Sequence, residues 1–155
     1  MTANRFIYET SLGYILLEEK DNKITKVHKL KENNISDLTE ETELLKKTIK
    51  EIREFLDGDR KEFDVPILME GTEFQKSVWK ELQNIPYGET RTYKEIAAAI
   101  GNEKASRAVG MANNRNPIML LIPCHRVIGS KGKSVGFGAG IDVHEKLLDL
   151  EKSNK

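Results

Sequence analysis

The sequence predicts an α+β protein in two lobes: a small antiparallel sheet covered by one helix over residues 1–70, and a mainly helical lobe over 71–155. Three observations carry this. Short β-rich runs divided by turn residues give way near Thr39 to an apolar period of 3.6. Two capping boxes, at Thr72 and Thr92, then open helices in succession. The formal charge, zero over the chain, also splits: residues 1–70 carry 12 Lys/Arg against 16 Asp/Glu (net −4), leaving 13 against 9 (net +4) for the rest. A length of 155 residues suffices for a small lobe joined to a medium one.

Taken in order, Phe6-Ile7-Tyr8, Tyr14-Ile15-Leu16-Leu17 and the run from Ile24 to Leu30 read as a three-stranded meander, with Ser11-Leu12-Gly13 and Asp21-Asn22-Lys23 as its turns. His28 falls in an alternating strand, as a surface or edge histidine. Leu45, Ile49, Ile52 and Leu56, reinforced by Leu44 and Phe55, form one helical stripe. Glu40 and Glu41 are expected in its first turn, and Gly58 lies past its end. Phe63-Asp64-Val65-Pro66-Ile67 comes next as a last strand or an extended linker, and the lobe boundary falls near Met69 to Gly71.

In the second lobe Thr72 and Gln75 cap a helix whose inner stripe is Phe74, Val78, Trp79, Leu82 and Ile85, with Trp79 as core and Pro86-Tyr87-Gly88 as the stop. Thr92 and Glu95 cap a short helix with Ile96, Ala97 and Ile100 on one side. Gly101-Asn102 then turns into another with Ala105, Ala108, Val109 and Ala112 inward and Ser106, Arg107, Gly110 and Met111 outward. Two short helices across a glycine turn make a helix-turn-helix pattern, which many helical hairpins that bind nothing share. Its adjacency to the cysteine stretch strengthens it. Asp142 and Glu145 can cap a closing helix in which Leu147, Leu148 and Glu151 share a face. Glu151 on that stripe either has a buried partner or sits in a frayed, solvated turn, and the sequence leaves both open.

Pro123-Cys124-His125-Arg126-Val127 sets the single cysteine, a histidine and an arginine inside an apolar run. A lone cysteine is commonly a small buried hydrophobe. Here an imidazole and a guanidinium beside it offer a field that favours thiolate, the nucleophilic form, while Pro123 fixes the backbone that presents it. One cysteine makes no internal disulfide and no thiolate-rich zinc site, and His28, His125 and His144 are scattered, so no metal or cofactor is expected. From Lys104 to Lys133 the chain has Lys104, Arg107, Arg115, Arg126, Lys131 and Lys133 and no acidic residue, which suits an anionic partner, nucleic acid, bound with moderate and salt-sensitive affinity. No run reaches membrane-spanning length and the first residues lack a signal-peptide core, so a cytoplasmic protein with no membrane partner is expected.

Over roughly Thr72 to Glu151 these motifs, in this order, resemble the O6-alkylguanine-DNA alkyltransferases, the methylated-DNA–protein-cysteine methyltransferases, whose signature is Pro-Cys-His-Arg-Val. The resemblance implies a ribonuclease H-like first lobe and a helix-turn-helix that enters the minor groove of double-stranded DNA carrying O6-alkylguanine. Arg107 would fill the gap left by the flipped base, with Ser106, Gly110, Met111 and Arg115 on the DNA. Asn116, Cys124, His125 and Glu151 match a hydrogen-bonded relay in which Glu151 orients His125, His125 deprotonates Cys124 through a water, and Asn116 helps hold the loop. Tyr93 matches the proton donor to the departing guanine, the backbones of Val127 and Gly138 would read the base edge, and Gly136 to Gly140 would close the pocket. Transfer to Cys124 would be irreversible and single-turnover, extend to O4-alkylthymine, and be carried out by a monomer without a cofactor, cytoplasmic in a prokaryotic cell and nuclear in a eukaryotic one. The chain departs from the commonest pattern at Phe137 for tyrosine, at Gly138 for serine, and at Asn113 and Asn114, beside which Arg115 offers a compensating cation. Two competing readings are a helix-turn-helix lesion sensor that transfers nothing and a cysteine hydrolase. The retained cysteine argues against the first, and the lack of an oxyanion-hole motif against the second.

Overall fold

The computed structural model describes residues 3–32, 38–129 and 140–155. The fold is α+β, and the chain divides into two compact units, Met1–Glu70 and Gly71–Lys155. Among the described residues no helix is long and apolar enough to cross a membrane.

In the first unit β1 (Asn4–Thr10), β2 (Gly13–Lys20) and β3 (Lys23–Lys29) form an antiparallel meander in that order, with Leu17 paired to Phe6 on one side and Val27 on the other. The β2–β3 turn works because Asp21 and Asn22 both take positive φ, 53° and 59°, the geometry that matches strand twist in a two-residue hairpin. Helix α1 (Glu43–Leu56) packs on all three strands and buries Leu45, Ile49, Ile52 and Phe55. It starts later than the acidic pair suggests. Thr42 is the N-cap, accepting from the Leu45 N–H at 3.2 Å, so Glu40 and Glu41 precede the helix and Glu41 instead accepts a hydrogen bond from the Tyr8 hydroxyl. The stretch around Pro66 is extended and joins β3 by one parallel bridge, Ile24 to Ile67. Its bonds run from Ile24 N to Pro66 O and from Leu68 N to Ile24 O, both 2.9 Å.

In the second unit α2 (Glu73–Leu82) and α3 (Tyr93–Ala99) each open on a complete capping box, Thr72 with Gln75 and Thr92 with Glu95. The Trp79 indole is buried and its Nε1 donates to the Ala112 carbonyl at 2.8 Å, tying α2 to α4 (Ser106–Asn114). Gly71 is required by close approach, since a Cβ there would lie 2.7 Å from the Trp79 ring. Helix α4 is turned relative to expectation: Val109, Ala112 and Asn113 are buried, whereas Ala108 is exposed. Alanine has too small an apolar surface to fix a helix's rotation, and Val109 with the Trp79 bond fixes it here. Two short strands, β4 (Arg91–Thr92) and β5 (Val127–Ile128), pair in parallel, and α5 (Ile141–Ser153) closes the unit. Its N-cap is Gly140 with no side-chain cap, so Asp142 lies in the first turn and Glu145 caps nothing.

Candidate active site

The reactive stretch is built from two tight turns. Leu121 N donates to Met119 O at 2.9 Å around Leu120, whose φ is +72°, a γ-turn of the strained hand that costs a non-glycine residue on the order of 1–3 kcal/mol. Two residues on, Cys124 N donates to Ile122 O at 2.7 Å around Pro123, whose φ of −78° and ψ of 66° make an inverse γ-turn. The proline ring already holds that φ. Asn116 braces both turns: its Oδ1 accepts from Ile118 N at 3.0 Å and its Nδ2 donates to Ile122 O at 2.8 Å. Burial of Ile118, Leu120 and Ile122 at 0–2 % exposure keeps the strained backbone from relaxing. Cys124–Arg126 then forms one 3₁₀ turn that runs into β5, so the ladder Arg91↔Val127 sets the turn beside the start of α3, where Tyr93 is the first helical residue.

One carboxylate organises the side chains on this turn. Glu151, 2 % exposed on α5, meets His125 Nε2 at 2.5 Å, Arg126 Nε at 2.9 and 3.1 Å and Gly88 N at 2.8 Å. The buried-partner reading of Glu151 therefore holds and the frayed-turn reading fails. Burial alone would raise this carboxyl, but His125, Arg126 and the Gly88 amide outweigh it and hold it down at about 2. An ionised carboxylate only accepts, so His125 Nε2 carries a proton and Nδ1 is left with the lone pair. Burial lowers the His125 pKa despite the Glu151 bond, and Arg126 adds to the lowering. Burial pushes the Cys124 thiol up to about 11, offset in part by a hydrogen bond from Asn116. Tyr93 is also raised, first by burial and then by the Cys124 charge, which places its phenol within electrostatic reach of the sulfur.

Arg126 corrects the sequence reading twice. It is 8 % exposed, bonded to Glu151 and to the Ile85 carbonyl at 2.8 Å, and stacked over Tyr87 at 5.6 Å. It therefore belongs to the interior rather than the basic surface, and its charge is directed at Glu151 rather than at the thiol. On α4, Arg107 and Met111 are exposed, as is the C-cap residue Arg115, and Ser106 and Gly110 are half-buried, with Phe74, Gln75, Ala108, Met111 and Arg115 lining a shallow groove between α2 and α4. Asn113 is buried and Asn114 exposed. Val127 is buried in the β4–β5 ladder, while Phe137 and Gly138, with most of the expected lid, lie outside the described residues. Among the described residues no group of three His, Cys, Asp or Glu side chains could hold a metal ion.

Residues 73–153, just over half the chain, match the model of the 6-O-methylguanine DNA methyltransferase DNA-binding domain. A Methanosarcina acetivorans methylated-DNA–protein-cysteine methyltransferase is 48 % identical over 151 residues, covering 95 % of this chain and 97 % of the relative. The chain belongs to this alkyltransferase family. Crystal structures match over nearly its whole length: the Mycobacterium tuberculosis O6-methylguanine methyltransferase superposes with a TM-score of 0.91 at 38 % identity, covering 99 % of this chain and 95 % of that one. A structure of the M. tuberculosis protein OGT in complex with DNA gives a TM-score of 0.87 at 39 % identity, covering 98 % and 93 %. Beyond the residues that resemblance to the alkyltransferases suggests, the site contains three more: Arg126 and Gly88 on Glu151, and His144, whose Nε2 lies 2.7 Å from the His125 carbonyl. Of these only Arg126 carries a sequence signal, a cation inside an apolar run, and it points inward.

Proposed function

We propose that this protein repairs alkylated double-stranded DNA by moving the alkyl group of O6-alkylguanine onto Cys124. The observation that carries the reading is a buried thiol held next in chain to a neutral histidine whose ring is fixed by an ionised, buried glutamate. In the reaction the Sγ–carbon bond forms as the carbon–O6 bond breaks. The thiol proton passes through a water to His125 Nδ1, and the Tyr93 hydroxyl donates a proton to the departing guanine. Glu151 stabilises the imidazolium that results. Asn116 holds the two γ-turns that present the sulfur. The product is a thioether, and among the described residues no group is placed to cleave it, so each molecule acts once.

The guanine must leave the base stack to reach a buried sulfur, at a cost of a few kcal/mol. In this reading α3 and α4 form a helix-turn-helix on the minor groove, Arg107 occupies the vacated position, and Ser106, Gly110, Met111 and Arg115 lie against the DNA. The Val127 backbone with Phe137 and Gly138 forms the base pocket. The protein acts as a monomer, and O4-alkylthymine is a second substrate. Intact-mass analysis after incubation with duplex DNA carrying O6-methylguanine should show one added methyl per protein, mapped to the Cys124 peptide, and none for Cys124→Ser, which still binds DNA. A methyl on another residue, or several turnovers per molecule, overturns the mechanism.

A further inference from the structure

Helix α5 turns three residues into the interior of its unit, His144, Leu147 and Glu151. Their spacing, i, i+3 and i+7, puts them on one stripe two helical turns long. Both polar members end on the same residue. Glu151 takes the His125 ring at Nε2, and His144 Nε2 lies 2.7 Å from the His125 backbone carbonyl. A carbonyl only accepts, so His144 donates from Nε2. The 3₁₀ turn closes with Val127 N on Cys124 O, one residue short of the His125 carbonyl, and His144 supplies the donor the turn does not. His144 is 1 % exposed and His125 fully buried, so water does not readily replace this bond.

We propose that His144 is a positioning residue for alkyl transfer: together with Glu151 it grips His125 at backbone and ring, and so fixes the direction in which Nδ1 points. The proposal rests on the reading of His125 as the base that receives the thiol proton. A ring held only at Nε2 still pivots with its backbone about that contact. A second grip from the same helix removes the pivot, because the separation of the two grips is set by helical rise, about 10 Å over seven residues. The His125 direction thereby becomes a property of α5 rather than of the short turn that carries it.

The test compares parent, His144→Phe and His144→Gln, with His144→Met replacing Phe if Phe melts below the assay temperature. Three quantities are read: the single-turnover transfer rate at saturating O6-methylguanine duplex, the duplex dissociation constant, and the strongly deshielded NMR proton shared by His125 Nε2 and Glu151. Loss of the donor should slow transfer about 10- to 100-fold, the scale of a small misplacement of a reacting group, with unchanged DNA affinity and a shifted or broadened imidazole proton. Glutamine, whose amide can donate to the same carbonyl, should recover most of the rate. A donor-less variant that transfers at the parent rate, or a glutamine variant no faster than it, overturns the inference while leaving the proposed function intact. A parent protein that puts no methyl on Cys124 would instead sink the proposed function and this inference with it.

Discussion

Glu151→Gln keeps the volume of the side chain and removes its charge, and the structure sets the size of the effect. The carboxyl is held at about 2 against an ordinary 4.5, a gap of ~2.5 pH units, which at ~1.4 kcal/mol each is on the order of 3 kcal/mol of folding stability at neutral pH. A second route gives the same scale. Glutamine would leave Arg126, 8 % exposed, as a buried cation without its counter-ion, and breaking a buried pair on one side costs about 3–5 kcal/mol. For a chain of this length that is a fall of roughly 6–12 °C in Tm. Because the folded pKa lies below the unfolded one, the contribution is complete above the unfolded value and lost as pH falls through the folded one. The gap between parent and variant should therefore be full at neutral pH and shrink steadily between pH 4.5 and about 2. Trp79, the single tryptophan, is buried in the same unit, so its fluorescence during denaturant unfolding reads this lobe. Adding Arg126→Met should restore part of the loss, since no uncompensated buried charge then remains. A glutamine variant as stable as the parent at neutral pH, or a gap that persists unchanged down to pH 2, would refute the reasoning.

Three further outcomes rest on the same geometry. Arg107→Ala should slow repair of duplex DNA far more than reaction with a free guanine analogue, which needs no extrusion; recovery by Arg107→Leu assigns the effect to bulk, and equal rates for all three place Arg107 on an idle surface. Gly110 sits inside α4 with no heavy atom within 4 Å of where a Cβ would sit, so Gly110→Ala should stabilise the fold by about 1 kcal/mol yet weaken duplex binding, and undiminished affinity would remove α4 from close DNA contact. With its thiol pushed up to about 11, Cys124 should react slowly with a neutral alkylating reagent at neutral pH and ever faster as pH rises towards that value, whereas a rate already level by about pH 9 contradicts the burial argument.

How much of this the sequence displays depends on the range over which each signal acts. The meander, both capping boxes and the Gly58 helix end are local, and chain neighbours alone decide them. Cys124 and His125 stand out because Pro-Cys-His-Arg-Val is compact, whereas Asn116, seven residues upstream of that motif, is singled out only by the resemblance to the alkyltransferases. Helix start and rotation are harder: Thr42 outcompetes an acidic pair whose carboxylate is taken by Tyr8, a partner 33 residues away, and α4 turns on a bond from Trp79, again 33 residues distant. Arg126 shows the limit most clearly. In a sequence it counts as one more cation in a basic run, and only the return of α5 twenty-five residues later converts it into the counter-ion of Glu151. His144 carries no pattern at all, because its acceptor is a backbone carbonyl.

The inward placement of Arg126 changes how the thiol is activated. A cation beside the sulfur would give a standing thiolate. Instead burial holds Cys124 at about 11, so near pH 7 only roughly one molecule in ten thousand is ionised. The proposed transfer then requires the proton to leave as the sulfur attacks, and that needs a neutral base already in place. Burial keeps His125 neutral, and Arg126 contributes by neutralising Glu151, whose unshielded charge would draw a resting proton onto the imidazole. In the proposed transfer, where His125 takes the thiol proton, the same carboxylate, 2.5 Å away, would stabilise the imidazolium. The arginine thus acts on the base through the glutamate, keeping it empty before the reaction and leaving its acceptor in place for afterwards. A thiol held this way is largely un-ionised near neutral pH and so slow towards stray electrophiles in water, which suits the proposed single use of Cys124.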